Sequence, residues 1–331
     1  MNAPKLLRLG VGIALAGVFG WLTLDQLDAQ RIGSALREAR PAAWGAAVAL
    51  LSLGYVFRIL RWQTMLRREN PGLRWQDCAG PLLAGFAANN VLPFRAGDLM
   101  RGLAFNARLG VGAGGALATL FVERLLDLLM MLLLLGAALW AFGFDAARVF
   151  GVSGPLLLLL AAVVAAVLMF PRLLLPFSRL VGRLARRLPA AARFQAGLDS
   201  AMATLVSLSG GSTMGRLVLW SAAAWLSEGG VYMLVAHSMV SGDAGLSVPG
   251  GSWLALPVGT LATLIPSTPG YVGTYDYFTA QAMVLSGNER TAAAAYAFLV
   301  HLVLWLPVTL VGGLYLMWHP PIATTPKVQA G

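Results

Sequence analysis

Residues 113–142 read AGGALATLFVERLLDLLMMLLLLGAALWAF, and this stretch decides the fold. It is longer than the roughly 20 apolar residues that a helix needs to cross a bilayer. It also contains Glu123, Arg124 and Asp127, although each ionisable side chain costs about 2.5 kcal/mol or more in hydrocarbon. The stretch therefore predicts a membrane-spanning helix whose charged face is turned toward protein or water.

The composition of the whole chain agrees with this interpretation. Of its 331 residues, 58% are apolar and 11% are charged, and the mean hydropathy is +0.73. Soluble domains average roughly 45–50% apolar and about 25% charged residues, so an ordinary soluble enzyme and a disordered chain are both excluded. Six stretches are long enough to span a membrane, namely 6–24, 41–60, 113–142, 153–170, 216–240 and 292–317.

Two further apolar stretches are interrupted by polar and helix-breaking residues. The first, 79–106, contains Asn90, Pro93, Arg95, Gly97, Asp98 and Arg101, and the second, 253–286, contains Pro266, Pro269, Gly270 and Gly273. At membrane depth, such residues must be buried in protein or line a water-filled cavity. We predict two re-entrant hairpins, each a half-helix, a turn and a half-helix, with the prolines and glycines forming the breaks.

These elements predict an all-α polytopic membrane protein with about six full spans and two broken hairpins. We treat 1–331 as a single integral membrane domain. Its first half is 1–170, a basic amphipathic connection is 171–215, and its second half is 216–317. Residues 92–98 and 265–271 both read apolar-Pro-x-x-x-Gly-polar. This similarity is consistent with an inverted repeat, whose substrate site would lie between the breaks, or with chance similarity of two turns.

The distribution of charge predicts the topology. The net charge is +10, and the cations lie in short segments between apolar runs, which is typical of membrane topology rather than of nucleic-acid binding. The basic segments follow the second and fourth spans, so both termini are expected in the cytoplasm. The 171–215 connection either lies on the anionic leaflet as amphipathic helices or is a positive-inside loop without lipid specificity.

The charged residues of the broken and spanning segments form the candidate site. The candidate substrate-binding residues are Asn90, Arg95, Arg101 and Arg124. Arg95 lies at the tip of a half-helix, where its planar fork of donors suits a phosphate or carboxylate headgroup. The alternative is that Asp98 pairs with Arg95 or Arg101 and only holds the turn.

Carboxylates are the second part of the candidate site. Asp98, Glu123, Asp127 and Glu228 are candidates for ion pairs with the arginines or for proton exchange. For Glu123, Arg124 and Asp127, the alternative is a structural network that locks the first hairpin against its neighbouring helix. The chain has one cysteine, Cys78, and three widely separated histidines, and it lacks a Walker loop and nucleophile motifs. We therefore expect no cofactor, no metal ion and no enzymatic activity.

Three motifs, taken in order, resemble one known family. They are Asn90-x-x-Pro93-x-Arg95-x-Gly97-Asp98-x-x-Arg101, Glu123-Arg124-x-x-Asp127 and Pro266-x-x-Pro269-Gly270-x-x-Gly273. The chain is similar, from about residue 5 to 317, to the lysylphosphatidylglycerol synthase transmembrane-region family, the flippase-like membrane half of MprF-type proteins. The resemblance implies an integral inner-membrane protein of bacterial or archaeal type that binds or moves a lipid, and we expect the bacterial inner membrane. It also implies a stand-alone member, associated with hopanoid or glycolipid pathways, without aminoacyl transfer.

Two functions from different classes therefore remain open. The first is a flippase-like transporter of a lipid with a polar, anionic head, from a phospholipid, hopanoid or glycolipid pathway. The second is a non-transporting scaffold that holds enzymes of lipid or envelope biosynthesis; a membrane enzyme acting on a lipid-linked substrate is a third alternative. Membrane lipids are the expected partners in each case, and nucleic acid is not.

Overall fold

The computed structural model of the protein describes residues 41–92, 95–144, 154–185, 191–240, 246–265 and 269–319. Within these ranges the chain forms twelve α-helices and no strand, which confirms the predicted all-α class. The predicted span 6–24 and the predicted breaks Pro93 and Pro266 lie outside the described residues.

Four helices are long and apolar enough to cross a membrane, so the protein is a multi-pass membrane protein. They are α1 (Pro41–Leu66), α5 (Ala113–Phe142), α9 (Gly211–Ser238) and α12 (Arg290–Trp318). Each corresponds to a predicted span. The second predicted span was expected to end at residue 60, but α1 continues to Leu66, because Arg61 is buried beside carboxylates instead of lying in a loop.

The fourth predicted span, 153–170, corresponds to the shorter helix α6 (Gly154–Met169). After α6 the chain bends by 97° into a 3-10 turn and helix α7 (Leu175–Ala185), followed by α8 (Ala191–Leu208). One face of α7 exposes Phe177, Leu180 and Leu184, and arginines 179 and 183 are exposed beside them. An amphipathic helix perpendicular to a span suits a membrane interface. The cytoplasmic location of this segment stays a prediction.

The first broken segment consists of α2 (Trp75–Val91), a break, α3 (Ala96–Leu103) and the short α4 (Asn106–Leu109). At the start of α2, the Arg74 backbone N–H donates to the Asp77 carboxylate at 2.8 Å and holds the pKa of that carboxyl below its usual value. After the break, α3 folds back on α2 so closely that a Cβ on Gly97 would overlap the Gly85 carbonyl oxygen. A helix, a break and a returning helix are thus present; their re-entrant placement in a membrane stays a prediction.

The second broken segment contains α10 (Ser252–Ala262), the short 3-10 turn Pro269–Tyr271 and α11 (Thr274–Leu285). In and after this turn, Gly270 and Gly273 have φ angles of 68° and 87°, which glycine adopts without steric cost. The helices α10 and α11 pack side by side, since a Cβ on Gly259 would overlap the Thr279 hydroxyl. Of the described residues next to the two breaks, Arg95 is half-buried and Gly270 is buried.

Two apolar clusters make up the core, one toward each end of the long helices. The first joins the N-terminal part of α1 to the C-terminal parts of α5 and α9 and to α10, α11 and α12. The second joins the C-terminal part of α1 to α2, α6, α8 and the N-terminal parts of α5 and α9. The charged residues of α1, α5 and α9 lie between the two clusters, so they form one polar layer across the helix bundle.

Candidate functional site

A cavity of about 340 Å³ lies between the two broken segments and the helices α1, α5, α9 and α12. Its volume falls in the range of about 300–1,000 Å³ that is typical of small-molecule sites. Six of the residues singled out in the sequence line it, namely Asn90, Arg95, Arg124, Asp127, Glu228 and Gly270. Apolar and aromatic side chains form most of the remaining wall, including Phe86, Trp225 and Trp305.

Arg95 joins the two breaks across this cavity. Its Nη2 donates to the Thr263 hydroxyl at 3.0 Å, and its guanidinium lies 5.6 Å from the centre of the Tyr271 ring. Arg95 and Tyr271 are also the two non-glycine residues with positive φ in the described part of the chain, at 52° and 61°. This backbone conformation costs a non-glycine residue roughly 1–2 kcal/mol, and such strain is concentrated at functional sites.

Arg95 differs from the other cavity arginines in its charge environment. Among the described residues, no carboxylate lies within 4.0 Å of it. Arg124, in contrast, contacts Asp98 at 3.5 Å, Glu123 at 2.8 Å and Asp127 at 3.5 Å. Arg124 keeps 34% of its side chain exposed, so it can also meet a ligand in the cavity.

Two asparagines of α2 hold the first break in place. The Asn89 amide donates to the Asp98 carboxylate at 3.0 Å and accepts the Asp98 backbone N–H at 3.1 Å, which ties α3 to α2. Asn90 lines the cavity and donates to the Thr309 hydroxyl of α12 at 2.8 Å. Asp98 therefore positions the break and its neighbouring arginine, and Asn90 fixes α2 against α12.

Behind the cavity wall, Glu123 is the centre of a buried ion-pair network. Its Oε1 accepts hydrogen bonds from Arg101 at 2.7 Å and from Arg124 at 2.8 Å, and its Oε2 lies 3.8 Å from Arg61. The side chains of Arg101 and Glu123 are each 1% exposed, and neither lines the cavity. Arg101 also lies over the Trp62 ring, at 4.9 Å from its centre. The arrangement matches the structural alternative for these residues, because it links α1, α3 and α5.

Two arginines of α1 belong to the polar layer, although they are not among the candidate site residues predicted from the sequence. Arg58 donates to Glu228 at 2.7 Å and lies 4.8 Å from the Trp225 ring centre. Arg61 donates to Asp127 at 2.7 Å. Their i, i+3 spacing, which puts both on one helix face opposite spans with carboxylates, is the signal that could have identified them.

The polar layer as a whole carries an excess positive charge. It contains five arginines and four carboxylates, namely Arg58, Arg61, Arg95, Arg101, Arg124, Asp98, Glu123, Asp127 and Glu228. The excess corresponds to Arg95, which lacks a carboxylate partner in the described ranges. No group of three or more His, Cys, Asp or Glu residues in those ranges is arranged to hold a metal ion. Because the excess charge of the layer is positive, the layer is suited to bind an anion.

These features define a multi-pass helical membrane protein with a charged cavity between two broken segments. Residues 9–312 match the family described as the lysylphosphatidylglycerol synthase TM region, and the chain belongs to that family, as its three motifs predicted. It is also 28% identical to the glycosyltransferase AglD of Haloferax volcanii, over 92% of this chain and 53% of that protein. The chain thus spans about half the length of this curated relative.

Proposed function

We propose that the protein binds the anionic head of a membrane lipid in this cavity and moves it between leaflets without changing it chemically. The observation that carries the proposal is Arg95, which bridges both breaks, lines the cavity and has no carboxylate within 4.0 Å among the described residues. A guanidinium in that position offers a planar fork of donors to a phosphate or carboxylate. The family match supports a role in lipid pathways.

The shape of the cavity supports a ligand with a polar head and an apolar tail. Leu264 lines the cavity and is 62% exposed, and we infer from this that the cavity opens beside it. An alkyl chain can leave the site at this point and stay in the bilayer. Arg124 supplies a second contact to the head, while Asp98 and Asp127 hold its guanidinium in place.

The excess positive charge narrows the class of head group. An anionic head at Arg95 would neutralise the polar layer. The gain in electrostatic free energy is large where the dielectric constant is low. A neutral hopanoid head would leave Arg95 without a counter-charge. A phosphate-bearing head is therefore the substrate class that we favour.

A lipid-linked glycan is a second candidate substrate, and it shares the anionic phosphate with the first. It is favoured by the relative AglD, which is named as a glycosyltransferase, and by the rings of Trp225 and Trp305 in the cavity lining. Such a lipid combines an anionic phosphate linkage for Arg95 with a sugar that aromatic faces can cover. The two candidates differ in what remains bound to the purified protein.

The test is mass spectrometry of lipids that copurify with the wild-type protein and with Arg95→Ala. One lipid class enriched in the wild type should fall by about tenfold or more in the variant, because a hydrogen bond to a charged group contributes about 1.5–3 kcal/mol. The matched control is Arg108→Ala, since Arg108 is an exposed arginine of α4 outside the cavity lining. It should retain the lipid.

Transport is measured separately, in liposomes that contain a fluorescent analogue of the enriched lipid. A membrane-impermeant quencher should reach inner-leaflet analogue faster with the wild type than with Arg95→Ala or without protein. Bulk lipid composition in the wild-type sample would contradict the head-group site. Specific binding with equal transport in all three samples would contradict the transporter and support the scaffold, whereas a chemically altered analogue would support an enzyme.

A further inference from the structure

The described helices form two halves with the same order of elements. The first half is a span, α1, the broken segment of α2 and α3, and a second span, α5. The second half is α9, the broken segment of α10 and α11, and α12. One apolar cluster contains the N-terminal parts of α1 and α12 and the C-terminal parts of α5 and α9. Corresponding spans are therefore antiparallel, which is the arrangement of an inverted repeat.

A polar contact recurs at the same place in both halves. The third residue of the returning helix is an aspartate, Asp98 in α3 and Asp276 in α11. Each aspartate contacts a basic side chain of the last span of its own half, Arg124 at 3.5 Å and His301 at 2.7 Å. Arg124 and His301 lie equally far from the first residues of α5 and α12. The two halves thus correspond residue by residue around the cavity.

The ion pair between α1 and α9 locates the axis that relates the halves. Arg58 and Glu228 lie equally far from the first residues of their helices, and they contact each other at 2.7 Å. Two corresponding residues can touch only close to the axis that relates them. Both residues line the cavity, so the cavity also lies close to this axis.

The broken segment of each half packs against the last span of the other half, so α10 lies along α5 and α2 lies along α12. At the α5–α10 contact, the cavity is lined by Leu264, which is 62% exposed. The similar sequences 92–98 and 265–271 make Val91 the counterpart of Leu264. Val91 is 56% exposed but does not line the cavity, and every lining residue of α2 and α12 is buried or half-buried. The two corresponding contacts therefore differ, and the α2–α12 contact is the closed one.

Two hydrogen bonds and a close packing contact hold α2 against α12. The Asn90 amide donates to the Thr309 hydroxyl at 2.8 Å, and the Trp305 ring nitrogen donates to the Asn90 carbonyl oxygen at 3.4 Å. Farther along, a Cβ on Gly312 would lie 2.7 Å from the Ala87 Cβ. Both hydrogen bonds join uncharged groups, so they are weaker than the ion pairs of the polar layer.

From this asymmetry we propose that the α2–α12 contact is a second portal for the lipid, the counterpart of the opening beside Leu264, and is closed in this structure. The inference rests on the proposed function, because a second portal is needed only if the lipid passes through the cavity. Since the halves are antiparallel, corresponding portals face opposite leaflets. When the halves exchange their arrangements, the α5–α10 contact closes and the α2–α12 contact opens. The exposed Leu306 and Leu310 of α12 then offer the lipid tail an apolar surface.

The first experiment joins α2 to α12 reversibly. In the double variant Asn90→Cys with Thr309→Cys, a short bifunctional thiosulfonate reagent bridges two positions whose native side chains are in contact. The bridged protein should keep its copurified lipid but lose transport in liposomes, and reduction of the bridge should restore transport. The control is Gly259→Cys with Thr279→Cys, which joins α10 to α11 within one half, where the Cβ atoms would lie 3.4 Å apart.

Bridging the control pair should leave transport unchanged, because both positions move with the same half. Transport that continues in the bridged Asn90→Cys, Thr309→Cys protein would overturn the portal. An equal loss of transport in both bridged proteins would also overturn it, because the loss would not depend on the α2–α12 contact.

The second experiment measures opening of the contact without transport. Ala87 is 2% exposed and faces Gly312, so Ala87→Cys should react with N-ethylmaleimide only while α2 and α12 are apart. Thr309→Val keeps the side-chain shape but removes the acceptor for Asn90. It should raise the reaction rate about two- to tenfold, which corresponds to the loss of one uncharged hydrogen bond. The control Ala224→Cys, fully buried on α9 against α1, should keep its rate.

The parent chain, whose Cys78 is buried, gives the background rate. A rate at this background for Ala87→Cys with Thr309→Val would overturn the portal, and so would an equal rise at Ala224→Cys. Labelling does not require transport, so the two proposals fail separately. A wild-type protein that binds its lipid without moving it would contradict the proposed function, whereas transport that survives the α2–α12 bridge would contradict the portal alone.

Discussion

Replacing Glu123 by glutamine tests the division of the polar layer into a buried support and a ligand-facing cavity. Glutamine keeps the shape of the side chain but removes its charge. Arg101 would then have only Asp98, at 3.9 Å, as an anionic partner, although its side chain is 1% exposed. Removing one partner of a buried ion pair costs about 3–5 kcal/mol, because the remaining charge is uncompensated. We expect Glu123→Gln to lower the free energy of unfolding by that amount.

Glu228→Gln is the matched control. Both substitutions remove one negative charge from the polar layer, so they change its net charge equally. Glu228, however, contacts one arginine, Arg58, and is 12% exposed beside the cavity, where water can reach the arginine left behind. Loss of a hydrogen bond to a charged group costs about 1.5–3 kcal/mol. Glu123→Gln should therefore be the more destabilising of the two.

The assay is reversible unfolding in mixed micelles, followed by tryptophan fluorescence at increasing denaturing detergent. A third sample, Glu123→Gln combined with Arg101→Met, should recover part of the lost stability, because it removes the uncompensated charge. The reasoning would be refuted if Glu123→Gln lay within about 0.5 kcal/mol of the wild type, the range of ordinary surface substitutions. It would equally be refuted if Glu228→Gln were the more damaging substitution.

Two further predictions concern packing and the membrane interface. Gly97→Ala should lower the free energy of unfolding by at least the roughly 1–3 kcal/mol that an overpacked core costs, because its Cβ would overlap the Gly85 carbonyl oxygen. The control Gly136→Ala has open space around its Cβ and should be neutral or stabilising. An unchanged melting temperature for Gly97→Ala would contradict the close packing of α2 and α3. The wild-type protein should be more stable in nanodiscs of anionic lipid than in nanodiscs of zwitterionic lipid. The double variant Arg179→Gln with Arg183→Gln should lose about 1 kcal/mol of this difference per arginine, and an unchanged difference would place α7 away from the lipid surface.

The spanning helices were predictable because hydropathy depends on local composition. The long apolar stretches at 113–142, 216–240 and 292–317 correspond to α5, α9 and α12 within a few residues at each end. The prediction was short for α1, because a local scale assigns Arg61 to water. The carboxylate partners of Arg58 and Arg61 are Glu228 and Asp127, which are on distant parts of the chain, so only packing shows that both arginines are buried.

The candidate site was predictable in its residue types but not in its arrangement. Arg95 and Arg124 were singled out because charges in apolar segments require an explanation. Arg101 was grouped with them on the same grounds, yet it lies behind the cavity wall against Glu123. The direction in which α3 leaves the break decides this difference, and that direction depends on the left-handed backbone of Arg95.

The sequence by itself determined the class of protein, because apolar length, charge placement and motif order are all local properties of the chain. They were sufficient for the membrane-spanning helices, for the two interrupted segments and for the family. Only the tertiary structure decided which charges neutralise one another, because ion pairs form between helices that are up to 170 residues apart, as for Arg58 and Glu228. It also decided that Arg95, among the five arginines of the polar layer, lies in the cavity without a carboxylate partner in the described ranges.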